Sequence, residues 1–367
     1  ENTPERVARR LILLRSRVGD GRVGCSNIAR GRGEELLSPP ETKPFNMSRF
    51  HFLEVIDVKQ ETADAVSVAL RVPPELRKEF TFLAGQYLTV KLTVNGEELR
   101  RSYSICSSPF EEASIRIAVK RVALGRASNR LVAGMKVGDK LEVMPPMGHF
   151  HTPFDASIER HFVAFAAGSG ITPILSILSS VLRAEPKSRF TLFYGNTDTD
   201  RIIFRERLDE LVREHGSRLT VHHVLSQGRN SDPLFNGRIT ADKTVQLMQR
   251  FVNDGLRKEF FICGPEQMMV SVSEALEKQR IDKKQIHIEL FTSPVTTEAK
   301  KEVSHATSTA FNGQAEVEIV LDGRRHTLHM GSKGDPVLEV AIDAGLDVPY
   351  ACKGAVCCTC KARVLEG

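Results

Sequence analysis

The hydrophobic pattern of the chain changes near residue 154. Before this point, apolar and polar residues alternate with a period of two, which is typical of half-buried β-strands. Turn residues separate the alternating runs, and Asn95-Gly96 between two of them is a strong hairpin signal. Several short strands of this kind predict an antiparallel β-barrel. The alternating runs are 65–72, 86–94 and 114–120.

Beyond residue 154, continuous apolar runs replace the alternation, as expected for strands that are buried on both faces. Helical segments lie between most of these runs, and the first predicted helix covers residues 174–184. Strands that alternate with helices predict an α/β domain with a parallel sheet and helices on both faces. The apolar runs are 161–167, 190–194, 219–225, 259–263 and 285–290.

The last part of the chain has a third pattern. A segment rich in Thr, Ser, Lys and Glu is typical of a linker, and a hairpin of two strands (315–321 and 324–330) and a short helix (337–344) follow it. The predicted division is therefore an N-terminal extension without a role in the fold, a barrel, a parallel-sheet domain, a linker and a small C-terminal domain. Their bounds are 1–46, 47–153, 154–291, 292–312 and 313–367.

Composition and charge exclude several classes of protein. No run approaches the 18 or so consecutive apolar residues of a membrane-spanning helix. The net charge of +5 includes +3 from residues 1–46, nine Lys and Arg against six Asp and Glu, so the body of the chain lacks the concentrated basic face of a nucleic-acid binder. Four of the seven cysteines lie within nine residues. Such clustering indicates metal or cluster ligands in a reducing compartment, for which the cytoplasm is the expectation.

The clustered cysteines have the spacing of an iron–sulfur loop. Cys352, Cys357 and Cys360 form C-x4-C-x2-C, the first three ligands of the plant-type [2Fe–2S] pattern. A zinc site is the alternative, but zinc ribbons use paired C-x2-C knuckles and only one is present here. Cys358 is an additional cysteine, and no fourth ligand follows Cys360 in the sequence. The chain is therefore expected to be a fragment or to receive its fourth ligand from elsewhere, with a poorly packed C-terminal domain.

The barrel sequence contains the motif R-x-Y-S at residues 101–104. This motif resembles the one with which the ferredoxin–NADP reductase superfamily binds a flavin, and the resemblance to this superfamily extends from residue 47 to the end of the chain. The resemblance implies that Tyr103 stacks on the flavin ring, that Ser104 approaches the flavin N5 edge, and that Arg101 meets phosphate. An aromatic face for a planar ring and a bidentate cation for phosphate are chemically reasonable. The residues of the motif are Arg101, Ser102, Tyr103 and Ser104.

Two further stretches of the barrel resemble the loop and helix start that bind the flavin pyrophosphate in this superfamily. Backbone N–H groups at the start of a helix are well suited to phosphate. The resemblance favours FAD over FMN. The residues concerned are Val119, Lys120, Gly125, Arg126, Ala127 and Ser128.

Three loops follow predicted strands of the parallel sheet, where open α/β sheets place ligands. The first is a glycine turn with the pattern G-x-G-x-x-P, which departs from the dinucleotide fingerprint and fits the reductase superfamily. The resemblance implies that Thr172 and Cys263 border the nicotinamide; a buried core thiol is the alternative for Cys263. The expected NAD(P)H-binding residues are Gly168, Gly170, Thr172, Pro173, Tyr194, Gly195, Asn196, Cys263, Gly264 and Pro265.

The order of flavin, nucleotide and C-terminal ferredoxin modules resembles the reductase components of bacterial oxygenases, with the subfamily left open. This resemblance implies FAD, NAD(P)H and a [2Fe–2S] cluster, and an iron-dependent oxygenase or its ferredoxin as electron acceptor. A stand-alone flavin reductase and a non-enzymatic [2Fe–2S] carrier or sensor are the alternatives. NADH or NADPH is undecided: Arg201 could bind a 2′-phosphate, whereas Asp198 and Asp200 would repel it.

Overall fold

A computed structural model describes residues 13–17, 50–110, 114–291, 314–321, 323–331, 336–352, 359–360 and 362–366. The predicted linker and Cys357 lie outside these residues, as does most of the N-terminal extension. The strands are β1 (Leu13–Arg17), β2 (His51–Thr62), β3 (Ala65–Arg71), β4 (Tyr87–Val94), β5 (Glu97–Ser104), β6 (Ser114–Lys120), β7 (Lys140–Val143), β8 (His161–Ala167), β9 (Arg189–Asn196), β10 (Leu219–Leu225), β11 (Lys258–Cys263), β12 (Ile286–Glu289), β13 (Gln314–Leu321), β14 (Arg324–Gly331) and β15 (Arg363–Glu366). The α-helices are α1 (Arg126–Gly134), α2 (Ile171–Ala184), α3 (Arg205–His215), α4 (Ala241–Phe251), α5 (Glu266–Lys278) and α6 (Val337–Asp343).

The chain divides into two compact units. The large unit contains residues 50–295 and 350–359, and the small unit contains residues 1–49, 296–349 and 360–367. No helix in the described part of the chain combines the length and the apolar character that crossing a membrane requires.

The first half of the large unit is the predicted antiparallel barrel. Its six strands have the order β5-β4-β7-β2-β3-β6, and every pair is antiparallel. The two ends of the sheet meet through a bridge between Ile105 and Ile117, which closes the barrel. Asn95 and Gly96 both have positive φ, 53° and 80°, as a type I′ hairpin turn requires. The barrel prediction is thus confirmed.

The second half of the large unit is a five-stranded parallel sheet with the order β10-β9-β8-β11-β12. The direction of winding reverses between β8 and β11, which is where ligands bind in folds of this kind. The helix α2 begins at Ile171, three residues earlier than predicted. Pro173 does not prevent this, because N–H groups in the first helical turn have no partner within the helix.

The barrel and the parallel sheet share one hydrophobic core. Cys106 and Phe150 from the barrel side pack in the same buried cluster as Ile174 of α2 and Phe261 of β11. The buried hydroxyl of Ser176 in α2 donates to the carbonyl oxygen of a barrel loop residue, Ser107, at 2.6 Å. The two predicted domains therefore form one unit in the structure, and their boundary at residue 153 stays a prediction.

The small unit contains a four-stranded sheet with the order β14-β13-β1-β15. The strand β1 is antiparallel to β13 and parallel to β15. The expectation that residues 1–46 have no role in the fold is therefore wrong for residues 13–17, whose pairing depends on backbone hydrogen bonds that the side-chain pattern does not reveal.

The small unit has a hydrophobic core of its own. The expectation that the C-terminal domain is poorly packed is therefore wrong for the residues that the structure describes. Apolar side chains from β13, β14, α6 and the following turn are 8% exposed or less, and side chains of this kind supply most of the folding free energy of a small domain. They are Val317, Ile319, Leu321, Leu328, Ala341 and Val348.

Candidate active site

The flavin motif forms the second half of β5, which pairs with β4. Tyr103 pairs with Leu88, and its half-buried ring packs against the barrel core. Burial raises the pKa of Tyr103 to about 12, so its hydroxyl stays protonated at neutral pH. Ser104 is buried and pairs with Tyr87. The strand thus supplies an aromatic ring and a hydroxyl to one end of the barrel.

Two other residues of the motif have polar groups available for a ligand. The Arg101 side chain is exposed, and its Nη1 atom donates to the carbonyl oxygen of Arg100 at 2.7 Å. The Ser102 Oγ atom is buried and has no hydrogen-bond partner among the described residues. A buried hydroxyl without a partner costs folding free energy, so a ligand that contacts it would remove this cost.

The predicted pyrophosphate loop leads into α1 with an open helix terminus. No side chain caps the first turn after Gly125. The Val122 N–H donates to Ser128 Oγ at 3.1 Å, and that hydroxyl donates to the Gly125 carbonyl oxygen at 3.3 Å. Ala127 is buried. The loop is held in shape by its own hydrogen bonds, and the uncapped N–H groups of α1 suit a phosphate.

Arg126 has a partner of its own. Its guanidinium group donates to both carboxylate oxygens of Glu97, at 2.6 and 2.9 Å. These hydrogen bonds lower the pKa of Glu97 and raise that of Arg126. Both side chains are exposed, and an exposed ion pair of this kind is weak. Phosphate binding by Arg126, which the resemblance implies, stays a prediction and would require a change of partner.

The glycine turn after β8 is closely packed. A Cβ atom on Gly170 would overlap the Cys263 carbonyl oxygen and lie 2.9 Å from Gly264 N. Gly168 has a φ of +53°, which favours glycine. The buried Tyr194 hydroxyl donates to the Gly168 carbonyl oxygen at 2.9 Å, and burial raises its pKa. The turns after β8, β9 and β11 therefore lie together at the carboxyl edge of the sheet.

The remaining predicted nucleotide residues lie at the same edge. Thr172 and Pro173 are buried in the first turn of α2, whose start no side chain caps, and the Thr172 hydroxyl donates to the Ser169 carbonyl oxygen at 3.0 Å. Gly195 and Asn196 end β9, and Pro265 precedes α5. The packing and the uncapped starts of α1 and α2 fit FAD and a nicotinamide nucleotide, because N–H groups at a helix start suit phosphate.

Lys120 links the two predicted cofactor sites. The residue before it, Val119, is buried in the barrel core. The Lys120 Nζ atom lies 3.7 Å from the position that a Cβ atom on Gly168 would occupy. It also lies 3.8 Å from the Asp64 carboxylate. A barrel residue therefore places a positive charge beside the glycine turn.

Cys263 has an acidic neighbour that the sequence analysis missed. Glu289 pairs with Cys263 across β11 and β12. Burial raises the pKa of the Cys263 thiol, and the nearby Glu289 raises it further. Burial also raises the pKa of Glu289 to about 7. One signal in the sequence could have identified Glu289. It is an acidic residue at the carboxyl end of an apolar run, and the other predicted site residues follow the carboxyl ends of such runs.

Two of the three predicted cluster ligands lie among the described residues. Cys352 and Cys360 are half-buried, and Cys357 lies outside the described residues. Cys352 packs beside Tyr87 and Ala351 in the large unit. Thiolates with the C-x4-C-x2-C spacing suit an iron–sulfur cluster, so the ligand set stays a prediction.

Three family models match consecutive parts of the chain: an oxidoreductase FAD-binding domain at residues 53–152, an oxidoreductase NAD-binding domain at 165–274 and a 2Fe-2S iron-sulfur cluster binding domain at 319–367. The chain is 40% identical to a 1,2-phenylacetyl-CoA epoxidase subunit of Escherichia coli over 88% of each chain. It is 36% identical to the ferredoxin reductase component of 3-ketosteroid-9-alpha-monooxygenase of Rhodococcus rhodochrous over 87% of each chain.

The structure agrees with these sequence matches. A solved FAD/NAD-binding domain of a nitric oxide dioxygenase from Vibrio cholerae is similar with a TM-score of 0.55 and 25% identity, and the match covers 65% of this chain and 98% of that one. The fold and the family matches together define an NAD(P)H-dependent electron-transfer reductase that uses FAD and a [2Fe–2S] cluster. The chain belongs to the ferredoxin–NADP reductase superfamily, as the R-x-Y-S motif predicts.

Proposed function

We propose that this reductase supplies electrons to an iron-dependent oxygenase and that phenylacetyl-CoA epoxidase is the first candidate. The observation that carries this proposal is the 40% identity to the epoxidase subunit over 88% of both chains. Matches to reductase components of two other monooxygenase systems support the broader class of partner. The clustered cysteines favour the cytoplasm as the location, because the cytoplasm keeps thiols reduced.

The roles proposed for the site residues follow from their chemistry. Tyr103 offers a flat aromatic face to the flavin ring, and Arg101 offers an exposed cation to its phosphate. Gly168 and Gly170 let the nucleotide approach the backbone, and Thr172 and Cys263 border the nicotinamide. FAD, when bound, accepts two electrons as a hydride and can release them one at a time. The protein sets the position and the reduction potential of its cofactors.

Reconstitution with the oxygenase tests the partner. We expect the purified reductase to support NAD(P)H-dependent epoxidation of phenylacetyl-CoA by the catalytic subunits of the epoxidase. The measurement is product formed per nucleotide oxidised, because a true partner couples the two while an unproductive pair consumes nucleotide without product. Oxidation of nucleotide with an artificial dye but no epoxide would contradict the partner and leave the reductase class intact.

The second candidate partner is a ketosteroid 9α-monooxygenase, which the 36% identity to its reductase component favours. The same coupled assay with the oxygenase component and a 3-ketosteroid provides the comparison. If more product forms per nucleotide oxidised with the steroid system than with the epoxidase, the ketosteroid monooxygenase becomes the first candidate partner.

The charges after β9 favour NADH as donor. Arg201 could pair with a 2′-phosphate, but its guanidinium already lies 3.3 Å from the Asp198 carboxylate and 3.9 Å from that of Asp64. We expect kcat/KM to be higher with NADH than with NADPH, because the carboxylates of Asp198 and Asp64 repel the 2′-phosphate of NADPH. Steady-state reduction of an artificial dye with each nucleotide measures this ratio.

Replacing Asp198 with asparagine should reduce the preference for NADH over NADPH. The variant retains an oxygen that can accept from Asp200 N–H, as the carboxylate does, but removes one negative charge beside Arg201. We expect the ratio of kcat/KM for NADH to that for NADPH to fall about two- to fivefold, the range for one exposed charge interaction. Asp209→Asn, an exposed change of equal charge on α3, is the control. A greater preference for NADPH in the parent protein would contradict the argument.

A further inference from the structure

Both described ends of the cysteine region, residues 350–352 and Thr359, pack on the barrel. Residues 350–359 belong to the large unit, although the sequence on either side of them belongs to the small unit. Within this segment, Ala351 is 3% exposed and packs with Tyr87 of β4. Cys352 and Met147 pack at the border of the same cluster. We call residues 350–359 the cysteine loop, and the structure describes its two ends, residues 350–352 and 359.

A buried hydrogen bond holds one end of the cysteine loop. The Tyr87 hydroxyl and the Thr359 hydroxyl lie 2.9 Å apart, and both residues are 3% exposed. Each hydroxyl is removed from water, so loss of one would leave the other buried without this partner. Thr359 immediately precedes Cys360, one of the predicted cluster ligands. The bond therefore acts on the backbone next to a cluster ligand.

A cation–π contact holds the other end. The guanidinium carbon of Arg100 in β5 lies 4.1 Å from the centre of the Tyr350 ring, which suits an attractive contact. The same guanidinium lies 4.9 Å from the Phe50 ring, and its Nε donates to Glu98 at 2.8 Å. With 12% of its side chain exposed, Arg100 is held on several sides.

Arg100 lies on β5, which carries the flavin motif, and Tyr87 lies on its neighbour β4. Tyr87 is directly opposite Ser104 in the pairing of β4 with β5, and Arg100 immediately precedes Arg101. A shift of the cysteine loop against these strands would therefore change the distance between the predicted flavin position and the predicted cluster. Electron transfer between cofactors depends on how the protein positions them.

We propose that Tyr87 and Arg100 are positioning residues that hold the two ends of the cysteine loop on β4 and β5. The inference rests on the proposed assignment of the flavin to Tyr103 and Ser104 and of the cluster to the cysteines. The contacts make or break no covalent bond. They set the geometry in which one electron leaves the reduced flavin and one electron enters the oxidised cluster.

Variants of the two hydroxyls test the proposal. Tyr87→Phe and Thr359→Val each remove one hydroxyl and conserve most of the side-chain volume, whereas Thr359→Ser retains the hydroxyl and should resemble the parent. Thr81→Val is the matched control, because the exposed Thr81 hydroxyl donates, among the described residues, to the nearby Arg77 carbonyl oxygen and makes no contact with the cysteine loop ends. All variants are made in the full chain.

Hydrogen–deuterium exchange is the first measurement, and it does not depend on catalysis. In Tyr87→Phe and Thr359→Val, we expect peptides from the cysteine loop to exchange roughly two- to tenfold faster, as loss of one net hydrogen bond predicts. Peptides from the parallel sheet should be unchanged. Equal exchange of the loop in all variants would overturn the proposal.

Rapid-mixing absorption with NADH or NADPH is the second measurement. We expect flavin bleaching to have the parent rate in all variants, and the following cluster bleaching to slow by roughly two- to tenfold in Tyr87→Phe and Thr359→Val. Unchanged cluster bleaching would overturn the positioning role. If the parent flavin is not bleached by either nucleotide, the proposed function fails, and the exchange measurement still decides whether the loop is held by these residues.

Discussion

Replacing Gly170 with alanine should remove most nucleotide-dependent flavin reduction. Gly170 has a φ of −61°, so its backbone conformation suits any residue and the requirement for glycine is one of space. The new methyl group would overlap the Cys263 carbonyl oxygen, which belongs to backbone and cannot rotate away. The turns after β8 and β11 would have to separate at the point where the nucleotide is expected to bind.

The expected size of this effect comes from two sources. Overpacking of a well-packed site costs about 1–3 kcal/mol of stability. A misplacement of about 1 Å between reacting groups can reduce the rate on the order of 100-fold. Stopped-flow flavin reduction and chemical denaturation measure the two quantities. Gly331→Ala is the matched control, since no atom of the described residues other than its chain neighbours lies within 4 Å of the added methyl group. Flavin reduction at the parental rate in Gly170→Ala would contradict the assignment of the nucleotide site.

Replacing Glu289 with glutamine should change how stability depends on pH. Burial raises the pKa of Glu289 from 4.5 to about 7, so the folded protein holds a proton that the unfolded chain releases. A group of this kind favours folding below pH 4.5, and its contribution is lost as the pH rises towards 7. Glutamine is neutral throughout and lacks this dependence.

The expected result is a difference between parent and variant that grows with pH. Relative to Glu289→Gln, the parent should lose about 1–3 kcal/mol of unfolding free energy as the pH rises from 4.5 to 7, and little above it. Urea denaturation at several pH values measures the difference. Glu274→Gln, a change at an exposed position of α5, is the control. A constant difference between parent and Glu289→Gln would show that the carboxylate is solvated.

The sequence predicts those features that depend on local pattern. Alternating and continuous apolar runs identify the barrel and the parallel sheet, because burial of one face or of both faces leaves a different period. The Asn95-Gly96 turn is predicted from residue type because both positions need a positive φ. The glycines of the predicted nucleotide site are identified as candidates from their position after a buried strand.

Features that depend on long-range pairing are missed. Glu289 lies beside Cys263 only because β11 and β12 are parallel neighbours, and no local pattern contains that fact. The contact of Tyr87 with Thr359 joins residues 272 positions apart. The strand β1 has no clear apolar period, so its pairing with β13 could not be predicted from residue type.

The core that the barrel shares with the parallel sheet limits how this reductase can be recombined. Protein engineers who build chimaeras exchange flavin and nucleotide modules at the boundary between them, here near residue 153. In this chain, such an exchange would divide a single buried cluster that includes Phe150 and Phe261, whose rings meet edge to face with centres 5.4 Å apart. The foreign half would have to match the native half in shape as closely as two halves of one domain do. Any exchange of coenzyme preference is therefore better made by substitution at the sheet edge than by transplanting a module.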